Sequence, residues 1–250
     1  MIKEKLKKLI KCFNNKKIII AKDKEHLHEL IKKEMRVKGN NCNLNHIDTS
    51  LITDMSNLFY SSKFDGDISG WNISNVEDMN HMFFNCSFNG DISGWDVSNV
   101  KNMHSMFYSS QFDGNISGWN VSQVRDMSSL FQKSKFNNDV SSWNTSKVEH
   151  MKRMFKLSKF NGDISQWDVS NVEDMSYMFF SSKFSIDISE WQPVKVKYIH
   201  YIFYHCNSPM PYWAKIECSE ERKKVIEIYN TRKILNTTIN KKIHKDTFKL

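Results

Sequence analysis

Five aspartates, Asp67, Asp91, Asp139, Asp163 and Asp187, fall at multiples of 24 residues, and a fixed row of carboxylates is chemistry that calcium can use. Calcium-stacked repeats, however, rely on short glycine-rich turns with clustered ligands, which a 24-residue unit with Asn115 interrupting the row does not supply. Turn aspartates that bond their own backbone are the expected role. Paired methionines (Met79 and Met82, Met103 and Met106, Met151 and Met154, Met175 and Met178) are copper(I) or adaptable-groove chemistry, but they share the phase of a phenylalanine series and read as core filler. The nine histidines keep no common register, so no metal or acid–base constellation emerges from them. Serine recurs at every unit, which suits turns rather than one activated nucleophile. No catalytic, metal or cofactor residue is expected, and the chain is not read as an enzyme.

The elements that carry these residues repeat. Trp71, Trp95, Trp119, Trp143, Trp167 and Trp191 stand 24 residues apart, and so do Phe59, Phe83, Phe107, Phe131, Phe155, Phe179 and Phe203. A second series runs Phe64, Phe88, Phe112, Phe136, Phe160, Phe184. A fixed period of this length marks a repeat array whose units cannot bury their aromatic residues alone and must stack. Tryptophans in a row could stack sugars or bases, but Trp95 shares strand parity with Val97 and Trp71 with Ile73, which favours burial. Within the unit Phe88–Phe107, alternation over Asp91–Val97 predicts a short strand. Ile92 has the opposite parity to Trp95, so a bend is needed near Ser93-Gly94 if both are buried. Ser98-Asn99 reads as a turn, and Val100, Met103, Met106 and Phe107 have near-helical spacing, with Asn102 or its equivalents Asp78, Asp126 and Asp174 near the N-cap. The expected fold is therefore an α/β repeat solenoid of leucine-rich-repeat type. Each 24-residue rung would pair a short parallel strand with a short helix or 3₁₀ segment.

The pattern F-N-G-D-I-S-x-W-D-V-S-N-V-x-D-M-S-x-M-F is met at every defined position by Phe160–Phe179, and Ile47–Ser56 resembles the usual entry to such arrays. It resembles the BspA-like leucine-rich-repeat surface protein family, in its Mycoplasma-lipoprotein-type repeat form, over residues 47 to about 203. The resemblance implies a solenoid used for contact with other macromolecules, often at a microbial surface, and no catalytic residues.

Charge divides the chain. Residues 1–46 hold 13 Lys/Arg against 5 Asp/Glu, residues 47–207 hold 13 against 18, and residues 208–250 hold 10 against 5. Three regions follow: a basic N-terminal flank and cap (1–46), a solenoid of about six rungs (47–207), and a basic C-terminal helix and tail (208–250). A mildly acidic array would repel phosphate, so nucleic acid is not the expected partner. Protein or glycan partners are. Residues 2–13 alternate apolar residues with lysine and suit either a capping helix or a peripheral anchor on an anionic membrane. That start lacks the unbroken apolar core of a signal peptide, which points to the cytoplasm, whereas the resemblance points to the cell surface. Five cysteines with no C-x-x-C pair read as free thiols. The candidate binding residues are the outward row between the buried Trp and the next apolar position: Asn72, Asp96, Asn120, Asn144, Asp168 and Gln192. The row either hydrogen-bonds an extended partner or serves only the stack.

Overall fold

The computed structural model describes residues 18–247. The basic segment 2–13 and Cys12 lie outside that range. The first elements are β1 (Ile19–Ile20), α1 (Lys24–Lys38) and β2 (Ile47–Asp48), with β1 and β2 paired in parallel. Asp23 caps α1 by accepting the His26 N–H at 2.8 Å. Gly39, at φ 82°, ends the helix with its N–H on the Met35 carbonyl, a backbone angle that glycine adopts without strain. Leu27 and Ile31 face the core. The chain closes with a 3₁₀ turn (Tyr212–Lys215) and the long helix α2 (Ser219–Thr247).

Between these ends each 24-residue unit hydrogen-bonds to the next. Isolated parallel bridges join Asp54 to Asp78, then Asn102, Asp126, His150, Asp174 and Tyr198 in succession. Pairing at the same spacing begins earlier than residue 47, with Asn43 bridged to Asp67.

Inside the units the expected strand and helix are absent, and turns replace both. Trp95 N–H bonds the Ile92 carbonyl at 3.1 Å, so a tight turn lies where strand alternation was expected. That turn buries Ile92 and Trp95 together despite their opposite parity. In the expected helical stretch, Met106, Tyr108 and Ser110 donate to the carbonyls three residues back, closing successive turns. The alternate amides of Met103, Ser105, Phe107 and Ser109 donate instead to Asp126, Ser128, Leu130 and Gln132 of the next unit at 2.8–3.0 Å. A helix would keep every interior N–H for its own chain and leave the next unit unbonded. Turns place apolar residues at the same three-residue intervals while freeing every second amide for the neighbour.

That geometry needs two left-handed residues per unit. Among the described residues fourteen non-glycine positions have φ of 49–63°, including Ser105, Ser109, Arg153, Leu157 and Tyr177. None is β-branched, the class for which this conformation is most strained.

The interior is aromatic. Phe59 through Phe203 form one ladder with centroids 5.5–5.8 Å apart between neighbours. Phe64 through Phe184 form a second, at 6.0–6.4 Å. The two ladders touch within each unit, as Phe107 does Phe112 at 4.4 Å. Each repeat tryptophan is buried and sends its indole N–H to a carbonyl of the preceding unit, Trp95 to Ile68 and Trp119 to Ile92. The methionine pairs are buried beside the phenylalanines. Gly114 is fixed by packing, since a Cβ there would lie 2.7 Å from the Phe112 ring, whereas Gly94 and Gly118 face open space.

The C-terminal end seals the stack imperfectly. Trp213 continues the indole series, 6.5 Å from Trp191, but it arrives 22 residues later rather than 24. Its Nε1 is buried without a hydrogen-bond partner. Arg222 is fully buried, and its guanidinium donates to the carbonyls of Val196, Ile216 and Glu217, tying α2 to the last unit. Burial pushes its pKa down from the usual guanidinium value.

Two predictions test this construction. Phe107→Ala or Phe131→Ala should cost about 3–5 kcal/mol in a denaturation experiment as a buried large-to-small change, while removing the chain after residue 236 should cost little; equal losses would contradict a stack held by its internal interfaces. At Leu157 (φ 58°), Ile should melt lower than the parent by about 1–2 kcal/mol and Gly at or above it. A helical segment would reverse the order, because Gly is the poorer helix former by roughly 0.5 kcal/mol.

Candidate binding surface

Asn72, Asp96, Asn120, Asn144, Asp168 and Gln192 are all exposed and line up in successive units. Their side chains do not bond to one another. Asn72, Asp96, Asn120, Asn144 and Asp168 each accept the backbone N–H two residues on, as Asp96 does from Ser98 at 3.1 Å and Asp168 from Ser170 at 2.9 Å. Each closes its own turn. Contact between units is made by other side chains. Asn75, Asn99 and Asn171 donate to Ser50, Ser74 and Ser146 carbonyls of the unit before. Asp65, Asn89, Asp113, Asn137 and Asn161 accept the N–H of the residue 24 positions later. The outward row is thus free of ladder duty, but one lone pair per side chain is already committed to the local turn.

The periodic aspartates considered for calcium behave the same way. Asp91, Asp139, Asp163 and Asp187 accept the N–H of Ser93, Ser141, Ser165 and Ser189 at 2.8–2.9 Å. Those bonds hold the four carboxyls below the usual carboxylate range, the serine N–H being the leading cause at Asp91, Asp139 and Asp163 and the serine hydroxyl at Asp187. The Ser98 hydroxyl and N–H do the same at Asp96. Among the described residues no group of three His, Cys, Asp or Glu side chains is placed to hold a metal ion. The Cys86 thiol is buried, and burial pushes it up to about 11. Cys42, Cys86, Cys206 and Cys218 are unpaired thiols.

What the sequence reading did not foresee is that α2 folds across one end of the row. Gln192 Nε2 donates to Asn230 at 3.4 Å, Tyr229 Oη donates to Glu190 at 3.1 Å, and Lys233 pairs with Glu190. The resulting cleft of about 400 Å³ brings together Trp167, Asp168, Trp191, Gln192 and Lys233. A neighbouring cavity of about 590 Å³ runs along α2 beside Ile234 and Thr237. Asn72, Asp96, Asn120 and Asn144 do not line either cavity. A signal was present: the position before each tryptophan runs Gly70, Gly94, Gly118, Ser142, Gln166, Glu190, growing in size and polarity toward the helix it meets.

These units define a tandem-repeat protein in which one turn pattern is copied along the chain. The family described as Mycoplasma protein of unknown function, DUF285, matches it twice in tandem, over residues 26–139 and 128–241, and the chain belongs to that family. No curated protein and no solved structure matches it.

The turn aspartates set a pH dependence. A carboxyl whose folded pKa is depressed contributes stability that is present above the unfolded value, near 3.9, and is lost as pH falls through the folded one. The melting temperature should therefore decline as pH drops from about 4 toward 2, and Asp→Asn changes at Asp91, Asp139 and Asp163 together should flatten that decline. An unchanged acid limb in the triple variant would remove these turns as its cause.

Proposed function

We propose that the chain is a non-enzymatic scaffold, a repeat solenoid that engages a protein or glycan partner along its exposed polar row. The observation that supports this reading is the separation of duties within each unit: the stacking bonds run through other side chains, leaving Asn72, Asp96, Asn120 and Asn144 outward and uncovered. Parallel units set such a row at a spacing of about 5 Å, suited to an extended partner. Kinship with the BspA-like leucine-rich-repeat surface proteins belongs to the same reading, with rungs built of turns in place of strand and helix. It carries a surface location. The second reading is a structural or membrane-peripheral protein anchored by residues 2–13.

The test is binding of the full chain to immobilised glycans and proteins, read by interferometry and compared with an Asp96→Lys/Asn120→Lys variant. The scaffold reading expects binding to fall at least about tenfold, a loss of some 1.4 kcal/mol, with a melting point within a few degrees of the parent. Binding that persists unchanged would remove this row as the contact surface.

A further inference from the structure

The summed charge of the array conceals a segregation. Seven ten-residue segments, 55–64, 79–88, 103–112, 127–136, 151–160, 175–184 and 199–208, form the double-turn ridge of successive units. All 18 acidic residues of 47–207 fall outside them, and 8 of the 13 basic residues fall inside. Of the five basic residues elsewhere in the array, Lys101, Arg125 and Lys197 pair with Glu77, Glu149 and Glu173 of adjoining units, and Lys147 and Lys195 bond the side chains of Gln123 and Asn171. On the ridge, Lys133, Lys135, Arg153, Lys156, Lys159 and Lys183 make no ion pair among the described residues. They are exposed, apart from a half-buried Lys156. Partial burial, and after it the nearby charges of Arg153 and Lys133, push the pKa of Lys156 down. Like charges gathered without counter-charge cost the folded protein stability, which an anionic partner would recover.

The aromatic residues of the ridge narrow the partner. Tyr60, Phe84 and Tyr108 stack face to face at 4.7 and 4.4 Å, with planes within 6° of parallel. Lys133 lies over the Tyr108 ring at 5.7 Å and Lys156 over Phe180 at 4.8 Å. Phe180 in turn stacks on Tyr204 at 5.2 Å. Most ring faces that nucleobases or sugars would need are thus taken by other rings or by lysine, which disfavours recognition of single strands by stacking. Edges are what remain outward, with Tyr60, Tyr201 and Tyr204 about half exposed. Tyrosine edges beside lysine and arginine stems, with Leu157 among them, suit the headgroup layer of a bilayer. The cations also stand at several different positions of the unit, so they spread sideways as well as along the stack, as a two-dimensional partner requires.

We propose that the ridge around Lys133, Arg153 and Lys156 is a docking face for a bilayer of anionic phospholipids. It is separate from the outward polar row and from residues 2–13.

Co-sedimentation of the full chain with vesicles tests it, using phosphatidylcholine with and without phosphatidylglycerol. The parent should bind only the anionic vesicles, and less as salt is raised. Lys133→Gln/Arg153→Gln/Lys156→Gln should weaken binding on the order of 100-fold, from about 1 kcal/mol for each cation near the surface. A control of equal charge change, Lys101→Gln/Arg125→Gln/Lys197→Gln, should lose far less. Equal losses in the two variants would assign binding to net charge or to the first residues and overturn the proposal. So would a parent that ignores anionic vesicles, or one that binds heparin or polyuridylate through these three residues but not the vesicles.

Discussion

Everything in the array depends on how each unit shares out its backbone N–H groups. Within the double turn, one amide closes a turn on its own chain and the next reaches across to the following unit, and the pattern repeats from Met55 to Ser181. That alternation requires a left-handed residue at the third position of the hydrogen-bonded turns that begin at Met103 and Phe107, with Ser105 and Ser109 in those places. It fixes the register between units, because a slip of one residue would aim turn-closing amides outward and ladder amides inward. Register in turn aligns the phenylalanines, so the aromatic ladders are a consequence of the backbone as much as a cause of it.

The four ladder bonds of each double turn are worth about 1 kcal/mol each net against about 1–2 kcal/mol for each of its two left-handed residues, and further amides such as those of Lys101 and Gln111 cross to Glu77 and Cys86 of the preceding unit. The larger gain comes from burial of two phenylalanines, a tryptophan and a methionine pair per unit, each large side chain worth about 1.5–3 kcal/mol. The ladder therefore specifies the geometry, and the aromatic core stabilises it. This division explains why Trp213 is retained at the C-terminal end with its indole N–H unsatisfied. Its ring covers Trp191 and Phe203, and covering the last aromatic layer outweighs one unmade hydrogen bond.

Much of this was legible in the residues. The 24-residue period gave the unit, its aromatic interior, the burial of tryptophan and methionine, and the turn role of the aspartates. Local conformation was not legible. Val100, Met103, Met106 and Phe107 have spacing that a helix and a run of turns satisfy equally, and only the demand of the next unit for amide donors decides between them. The absence of β-branched residues at the left-handed positions carried the distinction, but Ser, Asn, His, Lys, Arg, Leu and Tyr there look like ordinary surface variation. The cover of the outward row by α2 was marked only by the drift from Gly70 to Glu190, for a different reason. It joins Glu190 to Lys233 across 43 residues, and no periodicity reaches that far outside the array.

In a repeat protein the residues that recur most faithfully are those the stack needs, so periodicity points away from recognition. Trp, Phe and the turn aspartates are near-constant because every unit must close the same turns and fill the same core. One position of the double turn, by contrast, varies as Tyr60, Phe84, Tyr108, the buried Gln132, Lys156, Phe180, Tyr204, and the left-handed position three residues before it runs Asn57, His81, Ser105, Ser129, Arg153, Tyr177, Tyr201. At these places the backbone conformation is held by bonds that do not involve the side chain, so its chemistry can change from unit to unit without disturbing the stack. The candidate row at Asn72 and Asp96 is less free, because its side-chain oxygens also close turns and a replacement gives up one exposed hydrogen bond. A surface that differs along the stack can discriminate one partner from another, whereas a uniform row offers every unit the same contact. By that reasoning the double-turn ridge, where aromatic residues give way to cations and then return, is better suited to discriminate between partners than the near-uniform polar row.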